Sequence, residues 1–119
     1  MKQTTECPAE RAVYFLGGKW KIRILFNLSQ KKKVRFGELK KGLKTITQQM
    51  LSKQLKELEA DGIVNRKVIQ IMPPKVEYSL TEFGLSVMPI LRSFSEWNKR
   101  NTRTISVKLN KNFEENRIR

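Results

Sequence analysis

The side chains best equipped for chemistry lie between Thr47 and Gly62, in the run Thr-Gln-Gln-Met-Leu-Ser-Lys-Gln-Leu-Lys-Glu-Leu-Glu-Ala-Asp-Gly. At helical spacing this run separates into two faces. Leu51, Leu55 and Leu58, helped by Met50, form an apolar seam, while Gln48, Gln49, Ser52, Lys53 and Lys56 share the opposite front. Amides, hydroxyls and ammonium groups read base edges. Gln bonds bidentately to adenine, Lys reaches guanine, and Ser adapts to either. A helix that enters the major groove needs such a front, and an apolar back that docks on its own domain. Glu57, Glu59 and Asp61 come later and fall away from the phosphates if the N-terminal half enters the groove; Glu57 and Asp61 read as surface charge. Taken alone, the helix fits an ordinary solvated amphipathic helix equally well.

Charge and the following segment tip that balance. The chain carries 25 Lys and Arg against 11 Asp and Glu, a net charge of +14. Between residues 19 and 62 there are twelve cations and four acids. So positive a field attracts polyanions, either nucleic acid or an anionic membrane surface. Arg66, Lys67 and Lys75 flank a loop able to lie along a phosphate backbone or a minor groove, where contacts position a protein without specifying sequence. Arg35 and the lysines at 31–33, 40, 41 and 44 add general attraction, most of them as solvated charge.

The elements that position these groups follow from local signals. A helix over Pro8–Leu16 opens on a proline and closes on Gly17-Gly18. A second runs from Lys19 to about Ser29, with Trp20, Ile24, Leu25 and Leu28 as its core stripe. Val34-Arg35-Phe36 reads as a short extended piece. A short helix follows from Phe36 to about Gly42, with Phe36, Leu39 and Leu43 facing inward. Thr47 reads as an N-cap and Gly62 as the stop. Residues 63–71 and 75–80 alternate as two strands joined across Met72-Pro73-Pro74. A last helix runs from Thr81 or Glu82 to about Arg100, striped by Phe83, Val87, Ile90, Leu91, Phe94 and Trp97. Pro89 should kink or break it. Residues 101–119 read as a basic, poorly ordered tail, with 104–109 as an alternative strand.

This order of elements predicts a mainly α chain with a small β-hairpin wing, a winged helix-turn-helix domain over 7–100. The stripe from Phe83 to Trp97 exceeds what so small a core needs, so part of it should face a second copy. A two-fold dimer would present two reading helices to a pseudo-palindrome.

Several motifs in sequence support a family. Gly17-Gly18-Lys19-Trp20, Phe36-Gly37-Glu38-Leu39, the run Leu55 to Gly62, and the run Pro73 to Gly84 resemble the HxlR family of bacterial winged-helix regulators. Cys7-Pro8 before the first helix fits as well. The resemblance spans about residues 7–100. It implies a homodimeric transcription factor, related in fold to MarR regulators, that binds operator DNA and usually represses. It also implies that the first and last helices build the dimer, placing Val13, Phe94 and Trp97 in the interface. Some members sense electrophiles, quinones or oxidants through a cysteine at the position of Cys7. A helix N-terminus favours a thiolate there, as do nearby cations. The alternative is a small, inert cysteine.

Other classes find less support. With no histidine and one cysteine, triads that need His, intramolecular disulfides and multi-cysteine zinc sites are excluded. The chain has no Gly-rich phosphate loop, metal cluster or paired carboxylates, so neither an enzyme nor a cofactor or metal is expected. No stretch approaches the ~18 apolar residues of a membrane span, and no signal-peptide core opens the chain. The tail lacks amphipathic spacing, so no membrane partner is expected and the location reads as cytoplasmic. The reading is therefore a sequence-specific regulator of double-stranded DNA. Thr47, Gln48, Gln49, Ser52, Lys53, Lys56, Arg35, Arg66, Lys67 and Lys75 are its DNA contacts, and Cys7 is the candidate sensor of a small electrophile or oxidant. The alternative is a nonspecific nucleic-acid-binding structural protein.

Overall fold

Pro8 lacks only an N–H that no helical partner would have accepted, so it opens α1 (Pro8–Leu16) without cost. The computed structural model describes residues 7–118. Gly17 caps α1, its N–H reaching the Tyr14 carbonyl at 3.4 Å. Next comes α2 (Lys21–Gln30), which starts two residues later than the sequence predicts because Trp20 takes the cap position. Then follow β1 (Val34–Arg35), α3 (Phe36–Leu43) and α4 (Gln48–Ala60). The predicted Thr47 cap is present, its Oγ1 accepting the Met50 N–H at 3.1 Å. Gly62 adopts φ +76°, a left-handed conformation that suits glycine, and turns the chain out of α4.

The hairpin pairs β2 (Val64–Gln70) with β3 (Lys75–Leu80), and β1 adds to the other edge of β3, giving the antiparallel order β1-β3-β2. The sequence predicts the hairpin and a short extended piece at Val34-Arg35-Phe36, but not the pairing of that piece with β3. Val34 lies opposite Tyr78 and Arg35 opposite Glu77. Two residues form too short a run for period-2 alternation to show.

The chain divides into two compact units, Met1–Met88 and Pro89–Arg119, and the division falls inside α5 (Glu82–Arg100). In the first unit α2 contributes Ile24, Leu25 and Leu28, α3 contributes Leu39 and Leu43, and α4 contributes Leu51, Leu55 and Leu58, all buried. Each such side chain supplies about 1.5–3 kcal/mol. Phe36, predicted to face inward, is only half-buried. Thr81 fastens the start of α5: its hydroxyl donates to the Gly62 carbonyl at 2.6 Å and accepts the Gly84 N–H at 3.0 Å. Phe15 of α1 meets Phe83 edge-on, with ring centres 5.9 Å apart.

The second unit holds the rest of α5 and α6 (Thr102–Ile118). The helix runs through Pro89 without the break offered as one outcome. Residues 102–118, expected to be irregular or to include a strand at 104–109, are helical. Ile105 and Leu109 sit four apart, which suits a helix turn as well as a strand face. The sheet consists of β1, β3 and β2, so this segment satisfies its backbone groups internally. Thr102 Oγ1 also bonds back to the Asn98 carbonyl at 2.9 Å.

Gly84 is buried against the carbonyl of Ile63, which an added Cβ would strike. Gly84→Ala should therefore lower stability by about 1–3 kcal/mol in denaturant unfolding. Gly37→Ala, with nothing within 4 Å of the new atom, should raise it by up to ~1 kcal/mol.

Candidate nucleic-acid interface

With its leucines committed to the core, α4 turns its other side outward. Thr47, Gln48, Gln49, Ser52, Lys53 and Lys56 line one open depression of about 860 Å³. Six predicted contacts thus converge on a single surface. Gln48, Gln49, Lys53 and Lys56 are exposed, leaving their donors and acceptors available to a ligand.

The wing residues do not act as one set. Arg66 lies opposite Tyr78 and shares a notch of about 350 Å³ with Ser52 and Lys56 of α4, floored by Leu55 and Tyr78 and rimmed by Glu59. Lys67 lies opposite Glu77, which in turn lies opposite Arg35. Cross-strand partners share a face and successive residues alternate. Arg35, Lys67 and Lys75 therefore stand on one face of the sheet around Glu77, and Arg66 stands on the other beside α4. The sequence names these cations but cannot sort them, because the sorting depends on strand register.

Glu57 belongs to the site, contrary to its reading as remote surface charge. It lines the same depression and accepts an ion pair from Lys21 Nζ at 2.9 Å. The Lys21 side chain is only 12% exposed, so the pair is only partly open to solvent. The hydrogen bond from Lys21 holds the Glu57 carboxyl below its usual range. The pair ties α2 to α4 at this depression. The spacing of Gln49, Lys53 and Glu57, four apart, is the signal in the sequence that could have placed Glu57 on the same stripe. Nearby, Lys19 and Arg23 approach the Trp20 ring at 5.0 and 4.7 Å.

A polar-fronted helix, docked by leucines on two shorter helices and followed by a basic wing, is the arrangement of a winged helix-turn-helix reader. The model of the HxlR-like helix-turn-helix family matches residues 15–106. The chain belongs to this family. YybR, an HTH-type transcriptional regulator of Bacillus subtilis strain 168, is 50% identical over 95 residues, covering 80% of this chain and 75% of YybR. The redox regulator HypR in its reduced form has a TM-score of 0.79 at 44% identity, covering 85% of this chain and 99% of that one. The reduced form of the transcriptional regulator YodB from B. subtilis has a TM-score of 0.70 at 35% identity, covering 81% and 94%. This HxlR-type chain is thus a DNA-binding transcriptional regulator of the helix-turn-helix class.

The remaining predicted residues of this HxlR-type regulator lie outside the depression. Cys7 is exposed at the N-cap of α1, its carbonyl accepting the Arg11 N–H at 3.1 Å. Val13 projects from the same helix, 61% exposed, and α1 has no buried residue at all. In the second unit Phe94 and Trp97 are both more than half exposed, whereas Leu91 is buried. Among the described residues no helix is long and apolar enough to cross a membrane.

Because Glu57 titrates lower in the folded protein, its contribution to stability is present above the ordinary carboxylate range. It is lost as pH falls through the lowered value. The Glu57 side chain is 43% exposed, so solvent limits the contribution to about 0.2–1 kcal/mol. Glu57→Gln should lose that amount at neutral pH, and its unfolding curve should converge with wild type on acidification.

Proposed function

We propose that the protein is a homodimeric repressor that binds a pseudo-palindromic operator, with one α4 in each of two successive major grooves. The observation that carries this reading is the single surface formed by Thr47, Gln48, Gln49, Ser52, Lys53 and Lys56, backed by buried leucines. On it the glutamines and Lys53 contact bases. Arg66 beside α4, with Arg35, Lys67 and Lys75 on the wing's other face, contacts phosphates. Exposed Val13 on α1, and Phe94 and Trp97 on α5, support a second copy as the partner, since burying large apolar side chains against one another removes them from water. Two-fold pairing places half-sites about one ~34 Å turn apart, or a multiple of it. Occupying such a site excludes other proteins from it, which is repression in its simplest form. The protein would work in the cytoplasm, where chromosomal DNA is accessible.

Base and phosphate contacts separate experimentally. Gln49→Ala and Lys53→Ala should each cost about 1–3 kcal/mol on a preferred duplex and relax base preference. Lys75→Ala should weaken binding to all sequences alike and reduce the salt slope by about one. Identical behaviour of the three across unrelated duplexes would remove α4 as the reading helix.

Cys7 extends the proposal to a signal. It is exposed ahead of α1, and HypR, to which the chain is similar, is described as a redox regulator. Oxidation would join the Cys7 thiol to the Cys7 of a second copy or to a small thiol, two protons and two electrons passing to an oxidant such as diamide. A quinone would instead add to the sulfur. Either product changes the start of α1 and with it the dimer. Diamide or quinone should release wild-type protein from DNA and leave Cys7→Ser bound; equal release of both would remove Cys7 as the sensor.

A further inference from the structure

Ile71 and Met72 at the hairpin tip are 81% and 82% exposed, the highest values among the exposed large hydrophobic side chains of the described residues. Pro73 and Pro74 beside them are exposed too. Four consecutive apolar residues in open solvent add nothing to the core. The two prolines have no N–H to donate, and among the four side chains only the weak thioether acceptor of Met72 is polar. The side chains of such a tip hold no hydrogen-bond donor with which to read base edges. It is nevertheless held in shape. Gln70 Nε2 donates to the Met72 carbonyl at 3.1 Å, the proline rings fix φ, and a register shift between Val68 and Gln70 twists the end of β2.

The stem below the tip indicates what covers it. The hairpin carries Arg66, Lys67 and Lys75 against one acid, Glu77. An apolar tip on a cationic stem complements a duplex, whose anionic edge encloses stacked bases. The reach agrees. Arg66 shares its notch with Ser52 and Lys56 of α4. From Arg66 to Ile71 is five residues, a reach of at most about 17 Å at ~3.4 Å each, since the register shift before Gln70 shortens the path. That is the step from a major groove to the neighbouring minor groove, half of a ~34 Å turn.

We propose that the wing tip is an apolar wedge: Ile71 and Met72 enter the minor groove next to the α4 site and press against a base step, partly unstacking it and bending the duplex. Wedges of this chemistry kink DNA toward the major groove, and pyrimidine–purine steps yield most readily. The tip would then confer preference for deformable steps at positions where no side chain donates or accepts. This inference rests on the DNA-reading assignment of α4.

The test uses the full-length protein and short duplexes with a dye at each end and 2-aminopurine at successive steps, with TA steps or with GC-rich sequence. Wild type should bend the TA duplexes and brighten 2-aminopurine at one step beside the site. Ile71→Ser with Met72→Ser should bind roughly tenfold more weakly, with the same salt slope because every cation remains, and without bend or brightening. Ile71→Lys with Met72→Lys should regain affinity through phosphate attraction but not the bend. If wild type binds yet leaves the duplex straight and stacked, or the Ser variant bends it equally, the wedge is wrong and the α4 assignment stands. If the Ser variant instead changes sedimentation of the DNA-free protein, or abolishes its binding to anionic vesicles, the tip serves a second copy or a lipid surface. If wild type binds no duplex at all, both assignments fall.

Discussion

On one side α4 carries three leucines that must leave water, and on the other a set of polar side chains that must stay in it. The leucines supply about 1.5–3 kcal/mol each, whereas ordering each of thirteen residues costs ~1–2 kcal/mol. The helix cannot stand on those terms alone. It forms because α2 and α3 bring Ile24, Leu25, Leu28, Leu39 and Leu43 to a shared core. The Thr47 cap fixes where it begins and Gly62 where it ends. The result is a helix whose inner side is fully committed, so its outer side stays free for a ligand. The Lys21–Glu57 pair adds an electrostatic tie at the rim, weak in energy yet placed where a small rotation of α4 would shift Gln49 and Lys53 together.

The same economy accounts for the charge. A net of +14 on 119 residues opposes compaction, since like charges repel more strongly in a folded chain. Among the described residues no charged side chain is buried, so the cost is shared out over a hydrated surface. A polyanion relieves it, and counterions released from that polyanion add to the affinity. Three cations on one face of the sheet and a fourth beside α4 direct the attraction toward the reader and its wing. Exposed apolar groups on α1 and α5 and at the hairpin tip are a second reserve of unfavourable surface.

Much of this was legible in the sequence, where the signals were local. Pro8 and Gly17 bounded α1, Thr47 and Gly62 bounded α4, and the alternation of residues 75–80 matched β3. The order of those elements then pointed to the winged helix-turn-helix, and the motifs to the family. What escaped depended on chain segments far apart. The β1–β3 pairing joins residues more than forty positions distant, and two residues carry no periodicity of their own. The division of Arg66 from Lys67 and Lys75 required the register. Glu57 looked like solvated charge because its partner Lys21 lies on another helix. At 104–109 the same apolar spacing served helix and strand alike, and only the wider backbone requirement decides between them.

Selection of bound sequences from random duplex DNA, at near-physiological salt and with the intact protein, tests the central claim most directly. The account predicts an enriched pseudo-palindrome whose half-sites lie about one ~34 Å helical turn apart, or a multiple of that spacing. Tight, salt-sensitive binding with no enriched sequence would contradict it and leave a nonspecific nucleic-acid-binding protein.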